Sequence, residues 1–399
     1  MQGQDRDGLH FFGPDIETVY LSHVLIVDNI YSRALATIRP ISGYDPVLHR
    51  NVWPLRPAGA GCLKLKELMV VTSGSTLRRT GPRRETTAEP ARSGAVTVWA
   101  AIALVWLVIA VQALLRWVAS DDFAPTPLIG PDRMPTWNLV ALRVFEGISM
   151  ALLVFLVWFC VIKPWRRTGA LSLDGKFVLG GMAAFVADAF LNCYTYLFAW
   201  NAHNVNLGVW TAYLPFHNPA ASSRYAESLL WGPPMYVYFC AGVAIVGCPA
   251  YFALRSQWPR LSNVSLLAIV FVGEFVFDFA VENAAIRLTH GYAYAQTYGP
   301  LTLWAGSQFQ FPLYESFLVA ALGLLYTWMR IQAVSSDDGL SPVERGFDRW
   351  RPALQSKVRT LAVIGFCCAA TILIYHLPFN WLGIVGASTA HLPTYMWAG

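Results

Sequence analysis

The sequence predicts an all-α, polytopic integral membrane protein of about seven transmembrane helices, on three observations. Of the 399 residues, 55% are hydrophobic and 14% aromatic, while only 13% are charged; soluble domains carry roughly 25% charged residues. Several apolar runs have the twenty or so residues needed to cross ~30 Å of hydrocarbon at 1.5 Å per residue. The basic residues gather in every second loop. The formal net charge of +5 is therefore a statement about membrane orientation, not about nucleic-acid binding.

Residues 1–93 differ from the rest. Their start, MQGQDRDGLHFFGPDIETV, lacks the basic flank and apolar core of a signal peptide. The stretch STLRRTGPRRETTAEPARSG from Ser75's neighbourhood onward is polar, basic and punctuated by Pro and Gly, so the segment is expected to be a largely disordered cytosolic tail. Met69 opens a plausible shorter form, and residues 1–68 are expected to be dispensable. Spans are expected at about 95–118, 139–162, 177–200, 231–254, 264–288, 309–329 and 358–377, forming one transmembrane domain over 94–399. The fourth is the weakest, because Gly232-Pro233-Pro234 and Pro249 interrupt it.

Orientation follows from the loops. Arg78, Arg79, Arg83, Arg84 and Arg92 precede the first span. Lys163, Arg166, Arg167 and Lys176 lie between the second and third, and Arg255 and Arg260 between the fourth and fifth. Arg330, Arg345, Arg349, Arg351, Lys357 and Arg359 lie between the sixth and seventh. The alternate loops hold Arg133 and Arg224 alone. The positive-inside rule places the N-terminus inside and the C-terminus outside. No internal repeat is visible, and an odd span count does not suit the paired halves of many transporters.

Within the fifth span, GEFVFDFAVENAAIRLTHG sets Glu274, Asp278 and Glu282 one helical turn apart, on one stripe. Asp188 and Asn192 sit one turn apart on the third span, Glu146 on the second and Glu315 on the sixth. Most of these groups fall in the outer half of the membrane, at overlapping depths on four helices. A charge at a helix centre costs ~2.5–3.5 kcal/mol even on the gentler insertion scale, so such groups should face a bundle interior. Glu146 has Arg143 one turn away and reads as half of a structural ion pair. Glu282 has the alternative of pairing with Arg287 or capping the outer end. Asp278, Glu274, Glu282, Asp188, Glu315 and Asn192 are the candidate catalytic residues, with Asp278 foremost because carboxylates flank it and no cation lies within a turn. Carboxylates held this close in a low dielectric cannot all ionise, so the group should titrate as a unit. An acid then stands beside a base, the pairing proton transfer needs. A proton-coupled exporter would use it equally.

The outward loops 201–230 and 289–308 are long, almost uncharged and rich in Tyr, Trp and Gly. They suit either an interfacial aromatic belt or a lid over a large apolar ligand. Six of the seven Cys fall in apolar runs without a CxxC pair, and the eight His form no HxxxH or HxxHH pair. Neither a metal site nor a disulfide framework is indicated, and no Walker loop or GxGxxG marks a nucleotide. His203, His217 and His290 lie near the outer face and read as surface histidines. A retinal protein is excluded by the reversed orientation and by a seventh span without Lys. No metal or organic cofactor is expected.

The runs VLIVDNIYSRALATIRPISGYDP, RVFEGISMALLVFLVWFCVIKPWRRTGALSLDGK and FVGEFVFDFAVENAAIRLTHGYAYAQTYGPLTLWAG resemble the AveC-type spirocyclases of avermectin biosynthesis in Streptomyces. The resemblance implies stereospecific closure of a dihydroxyketone polyketide macrolactone into a 6,6-spiroketal, with an optional dehydration to the C22–C23 alkene. It carries over no catalytic motif. The partners expected are a hydrophobic macrolactone and the lipid bilayer of the bacterial cytoplasmic membrane, with no nucleic acid; the runner-up reading is export of a hydrophobic secondary metabolite.

The loop arginines make the topology testable. A reporter fused after Gly399 is expected outside and one fused after Gly94 in the cytosol. Both on one side would put the span count wrong by one.

Overall fold

The structure, a computed structural model, describes residues 94–221 and 225–397. The expectations for the 1–93 tail lie outside the described residues. Among the described residues, six helices are long and apolar enough to cross a membrane: α1 (Ala95–Val118), α2 (Thr136–Thr168), α4 (Gly232–Gln257), α5 (Asn263–Thr289), α6 (Leu313–Ser335) and α7 (Pro352–Ile384). Each matches an expected span. The fourth span is continuous despite its prolines. Pro233 and Pro234 occupy the first turn of α4, where the missing N–H is one the helix could not have bonded anyway.

The expected third span is the departure. It is α3 (Leu173–Ala184), which tightens into a 3-10 helix over Phe185–Asn192 and gives way to strand β1 (Phe198–Trp200). Sequence hydropathy cannot see this break. Backbone irregularity is tolerated at membrane depth only where protein surrounds it. Here Phe185, Val186, Ala187, Asp188, Ala189, Leu191 and Asn192 are all buried. By contrast α1 shows Val98, Val105, Val108 and Leu115 to the outside, each more than half exposed, as a lipid-facing helix should.

Glycine lets the helices approach. A Cβ on Gly365 of α7 would lie 2.0 Å from the Trp99 carbonyl oxygen of α1, so only a bare backbone fits that crossing. A Cβ on Gly181 of α3 would likewise lie 2.6 Å from the Tyr236 carbonyl oxygen of α4. That contact brings the 3-10 segment of α3 up to the Tyr236 side chain. Small residues at helix crossings are the usual device of membrane bundles. Helices α2, α4 and α7 each contain a π-helical turn, at Val157–Ile162, Tyr238–Gly242 and Thr371–His376.

Short antiparallel ladders join the loops at one end, an addition to the all-α expectation. Strand β1 pairs with β2 (Tyr292–Tyr294), setting Phe198 opposite Tyr294 and Trp200 opposite Tyr292. Strands β3 (Gln296–Thr297) and β6 (Ser388–Thr389) pair, as do β4 (Thr302–Leu303) and β5 (Phe311–Pro312). Further bonds tie the same loops: Asn201 N–H to the Gly291 carbonyl (3.0 Å), Ala202 N–H to Tyr395 (2.8 Å), and Thr394 N–H to Asp132 Oδ2 (2.9 Å). All belong to loops that the arginine distribution assigns to the outer side.

The loops assigned to the inner side meet at the other end. Arg330 grips Asp174 with two bonds, 2.7 and 3.1 Å. Glu344 pairs with Lys176 and with Arg359 (2.9 Å), and accepts from Ser341 Oγ at 2.7 Å. Burial alone would raise the Glu344 carboxyl, but Lys176, Arg359 and Ser341 outweigh it and hold it below the ordinary range. The stability it contributes is therefore present above the unfolded carboxylate value and lost as the pH falls through the lower folded one.

Lys176 and Glu344 are 3% and 1% exposed, and breaking a buried pair by removing one partner costs ~3–5 kcal/mol. Glu344→Gln is expected to lower the melting temperature of the detergent-solubilised protein at neutral pH. The gap to wild type should narrow on acidification below about pH 4. A melting temperature equal to wild type at neutral pH would show the pair to be idle.

Candidate functional site

Three of the expected carboxylates converge. Asp278 and Glu282 lie one turn apart on α5, and Glu315 is the third residue of α6, where the helix N-terminus favours negative charge. One carboxylate oxygen from each lies within 4.8 Å of those of the other two, and all three residues are buried. The Glu315 carboxyl touches both Asp278 and Glu282. Carboxylates this close repel one another when all are charged, so the arrangement suits shared protons.

The ring around them is phenolic, not cationic. Tyr292 and Tyr294 are two apart on β2 and so face the same way. Tyr294 donates to Glu282 Oε2 at 2.6 Å and Tyr292 to Glu282 Oε1 at 3.2 Å. Tyr375, from the π turn of α7, donates to Glu315 Oε1 at 3.5 Å, and Ser316 Oγ donates to Glu315 Oε2 at 3.3 Å. Burial, reinforced by the neighbouring Glu282 and Glu315, pushes the Tyr292 and Tyr294 phenols well above their ordinary range, so both stay O–H donors. Asp278 Oδ2 is buried without a hydrogen-bond partner.

Glu274, one turn from Asp278, goes elsewhere. Its Oε1 accepts from Thr327 Oγ1 at 3.1 Å, and its carboxyl is clasped between Gly247 of α4 and Gly323 of α6. A Cβ on either glycine would fall within 3.0 Å of one of its oxygens. The expectation of one stripe of three carboxylates thus resolves into two sites: Asp278 and Glu282 with Glu315, and Glu274 alone.

Asp188 forms a second cluster. Its Oδ1 accepts from the Tyr236 hydroxyl at 2.7 Å and its Oδ2 from Trp200 Nε1 at 3.3 Å. The Tyr236 oxygen also meets His376 Nε2 at 2.9 Å. The Glu227 carboxyl rests against Asp188; burial, then the Asp188 charge, pushes it well above the ordinary carboxylate range. Asn192 is spent on backbone: its Oδ1 accepts from Leu197 and Phe198 N–H, both at 3.0 Å, and its Nδ2 donates to the Phe198 carbonyl at 2.8 Å. It holds the turn that leads into β1.

Trp200 and Tyr292, ring centroids 5.7 Å apart, connect the two clusters, since one donates to Asp188 and the other to Glu282. Glu227, Tyr236, His376 and the three tyrosines escaped the sequence reading. Glu227 stands in a polar loop, where nothing signals burial. His376 did carry a signal, a lone ionisable residue inside an apolar span. Glu146 pairs with Arg143 as expected and accepts from Val205 N–H at 2.9 Å. Arg287 does not pair with Glu282; its guanidinium lies over Trp304 and Phe309, 4.4 and 5.0 Å from the ring centroids. The six described cysteines are buried and free.

The family model described as "Spirocyclase AveC-like" matches residues 165–393, over half of the chain and every member of both clusters. The chain belongs to the AveC-like spirocyclase family. No curated protein and no solved structure matches it. Membership assigns a spirocyclase-type role in polyketide biosynthesis.

The Asp278–Glu282–Glu315 set is also compact enough to hold a divalent cation. The phenol donors on both Glu282 oxygens already serve lone pairs that a cation would want, which favours shared protons. Chelator treatment of purified protein is therefore expected to leave spiroketal formation unchanged. Loss of activity restored by added Mg²⁺ or Mn²⁺ would make the set a cation site instead.

Proposed function

We propose that this AveC-like spirocyclase acts within the bacterial cytoplasmic membrane, N-terminus inside, on a dihydroxyketone polyketide macrolactone. It closes the ketone onto two hydroxyls as a 6,6-spiroketal, as in avermectin biosynthesis, with an optional dehydration to the C22–C23 alkene. The observation that carries the reading is the buried set Asp278–Glu282–Glu315, joined carboxyl to carboxyl and ringed by O–H donors. Such a set offers a proton and a proton acceptor side by side, without a cofactor.

The steps follow from that pairing. The carboxyl set protonates the ketone oxygen while the first hydroxyl adds to the carbon and gives up its proton, forming a hemiketal. The set then protonates the hemiketal hydroxyl, which leaves as water, and an ionised member stabilises the oxocarbenium ion. Addition of the second hydroxyl to one face, its proton passing to the ionised member of the set, sets the stereochemistry. Spiroketals form readily in mild acid, so the protein's main contribution is to hold one folded conformer of the substrate. We assign Asp278, whose buried Oδ2 has no hydrogen-bond partner, to the reacting oxygen. Dehydration uses the same partners, an acid at the departing hydroxyl and a base at the neighbouring C–H.

The rival reading, a proton-coupled exporter, predicts gradient-driven uptake and no conversion by solubilised protein. Asp278→Asn keeps size and hydrogen bonding but removes titration. If acid–base catalysis contributes the usual ~10²–10⁴-fold, solubilised Asp278→Asn should lose about that factor in rate. Its residual product should include the wrong stereoisomer, because spontaneous closure competes. Wild-type rate and stereochemistry at matched protein levels would remove Asp278 from the chemistry.

A further inference from the structure

The second buried cluster holds a base of defined orientation. Tyr236 has one hydroxyl hydrogen and gives it to Asp188 Oδ1 at 2.7 Å. The 2.9 Å contact between the same oxygen and His376 Nε2 must then run the other way, with Nε2–H donating. A neutral imidazole has a single N–H, so Nδ1 keeps a bare lone pair. That atom is buried and has no hydrogen-bond partner, in a residue only 1% exposed.

The surroundings fix this arrangement. The Tyr236 and His376 rings stack, 12° from parallel with centroids 5.9 Å apart, and Asn380 Nδ2 donates to the His376 carbonyl at 2.9 Å. Two further acceptors of the cluster, Glu227 Oε1 and Asn380 Oδ1, are likewise buried and unpartnered. Buried acceptors without a donor are rare in folded proteins. A ligand that brings an O–H group, as a polyol ketone does, would satisfy His376 Nδ1. His376 also follows directly on Tyr375, which reaches Glu315, so one π turn of α7 serves both clusters. Such turns gather at functional sites.

We propose that His376 is a catalytic base whose Nδ1 takes the proton of an attacking substrate hydroxyl, and that Tyr236, Asp188 and Glu227 are positioning residues that orient it. This rests on the spirocyclase reading. In the step, the substrate O–H breaks and its proton moves to Nδ1 as the new O–C bond forms at the ketone carbon. The carbonyl π pair moves to oxygen, which receives a proton from the Asp278–Glu282–Glu315 set. The imidazolium returns its proton to that set through the water released at closure. The acid and the base are thereby supplied by separate clusters.

The test uses full-length, detergent-solubilised protein and a synthetic dihydroxyketone that closes to a 6,6-spiroketal. Rates are measured per folded, monodisperse molecule. His376→Gln keeps an N–H for Tyr236 but has no basic nitrogen; kcat is expected to fall by ~10²–10⁴-fold with KM little changed. Tyr236→Phe retains the stacked ring and loses only the hydroxyl, so kcat should fall about tenfold, the worth of one hydrogen bond. Wild-type kcat in folded His376→Gln beside an impaired Asp278→Asn overturns the base and leaves the spirocyclase reading standing. A loss in His376→Gln beside an unimpaired Asp278→Asn supports the base and removes the carboxyl set. Wild-type rates in both variants overturn both.

Discussion

A carboxyl group taken out of water must find a proton, a hydrogen-bond donor or a cation. In this bundle most are met by donors, and the architecture around the site is arranged to supply them. Glu282 needs Tyr292 and Tyr294; those phenols need strand β2; and β2 holds its place by pairing with β1. Strand β1 in turn hangs on Asn192, whose amide serves three backbone groups of the preceding turn. A chain of dependence thus runs from one buried acid, through a short ladder, to an asparagine two helices away. Cations meet acids elsewhere: Arg143 at Glu146, and, at the opposite end of the bundle, Lys176 and Arg359 at Glu344 and Arg330 at the half-buried Asp174.

That division of partners separates two kinds of buried charge. A carboxylate clamped by Lys176 and Arg359 is held in its ionised form and serves the fold. A carboxyl bonded to other carboxyls and to phenols can gain or lose a proton without abandoning its partners, and this suits it to chemistry. The backbone departs from regular helix in the same places. The 3-10 segment of α3 carries Asp188, and the π turn of α7 carries Tyr375 and His376. Regular α-helix would space these side chains by its own period, and the local change of period aims them at partners on other elements.

How much of this was legible in the chain can be argued residue by residue. Hydropathy and length located α1, α2, α4, α5, α6 and α7, because apolar surface facing lipid needs no tertiary information to be favourable. The arginine pattern grouped the loops that do meet at each end. Asp278, Glu282 and Glu315 stood out because a carboxylate in an apolar run is costly wherever the neighbours lie. Glu274 stood out for the same reason, yet its partner is Thr327 and its walls are Gly247 and Gly323, none of which sequence spacing connects to it.

What the sequence by itself determined is the all-α membrane class, six of the seven expected spans and the carboxylates inside them that had to be satisfied: these follow from the transfer cost of single residues. Which groups satisfy which was decided only by the tertiary structure. Glu227 comes from a loop, Tyr236 from α4 and His376 from α7 to meet Asp188 on α3. Hydrogen bonds act over about 3 Å, and Tyr236 and His376, 140 positions apart in the chain, reach that range only after the helices have packed.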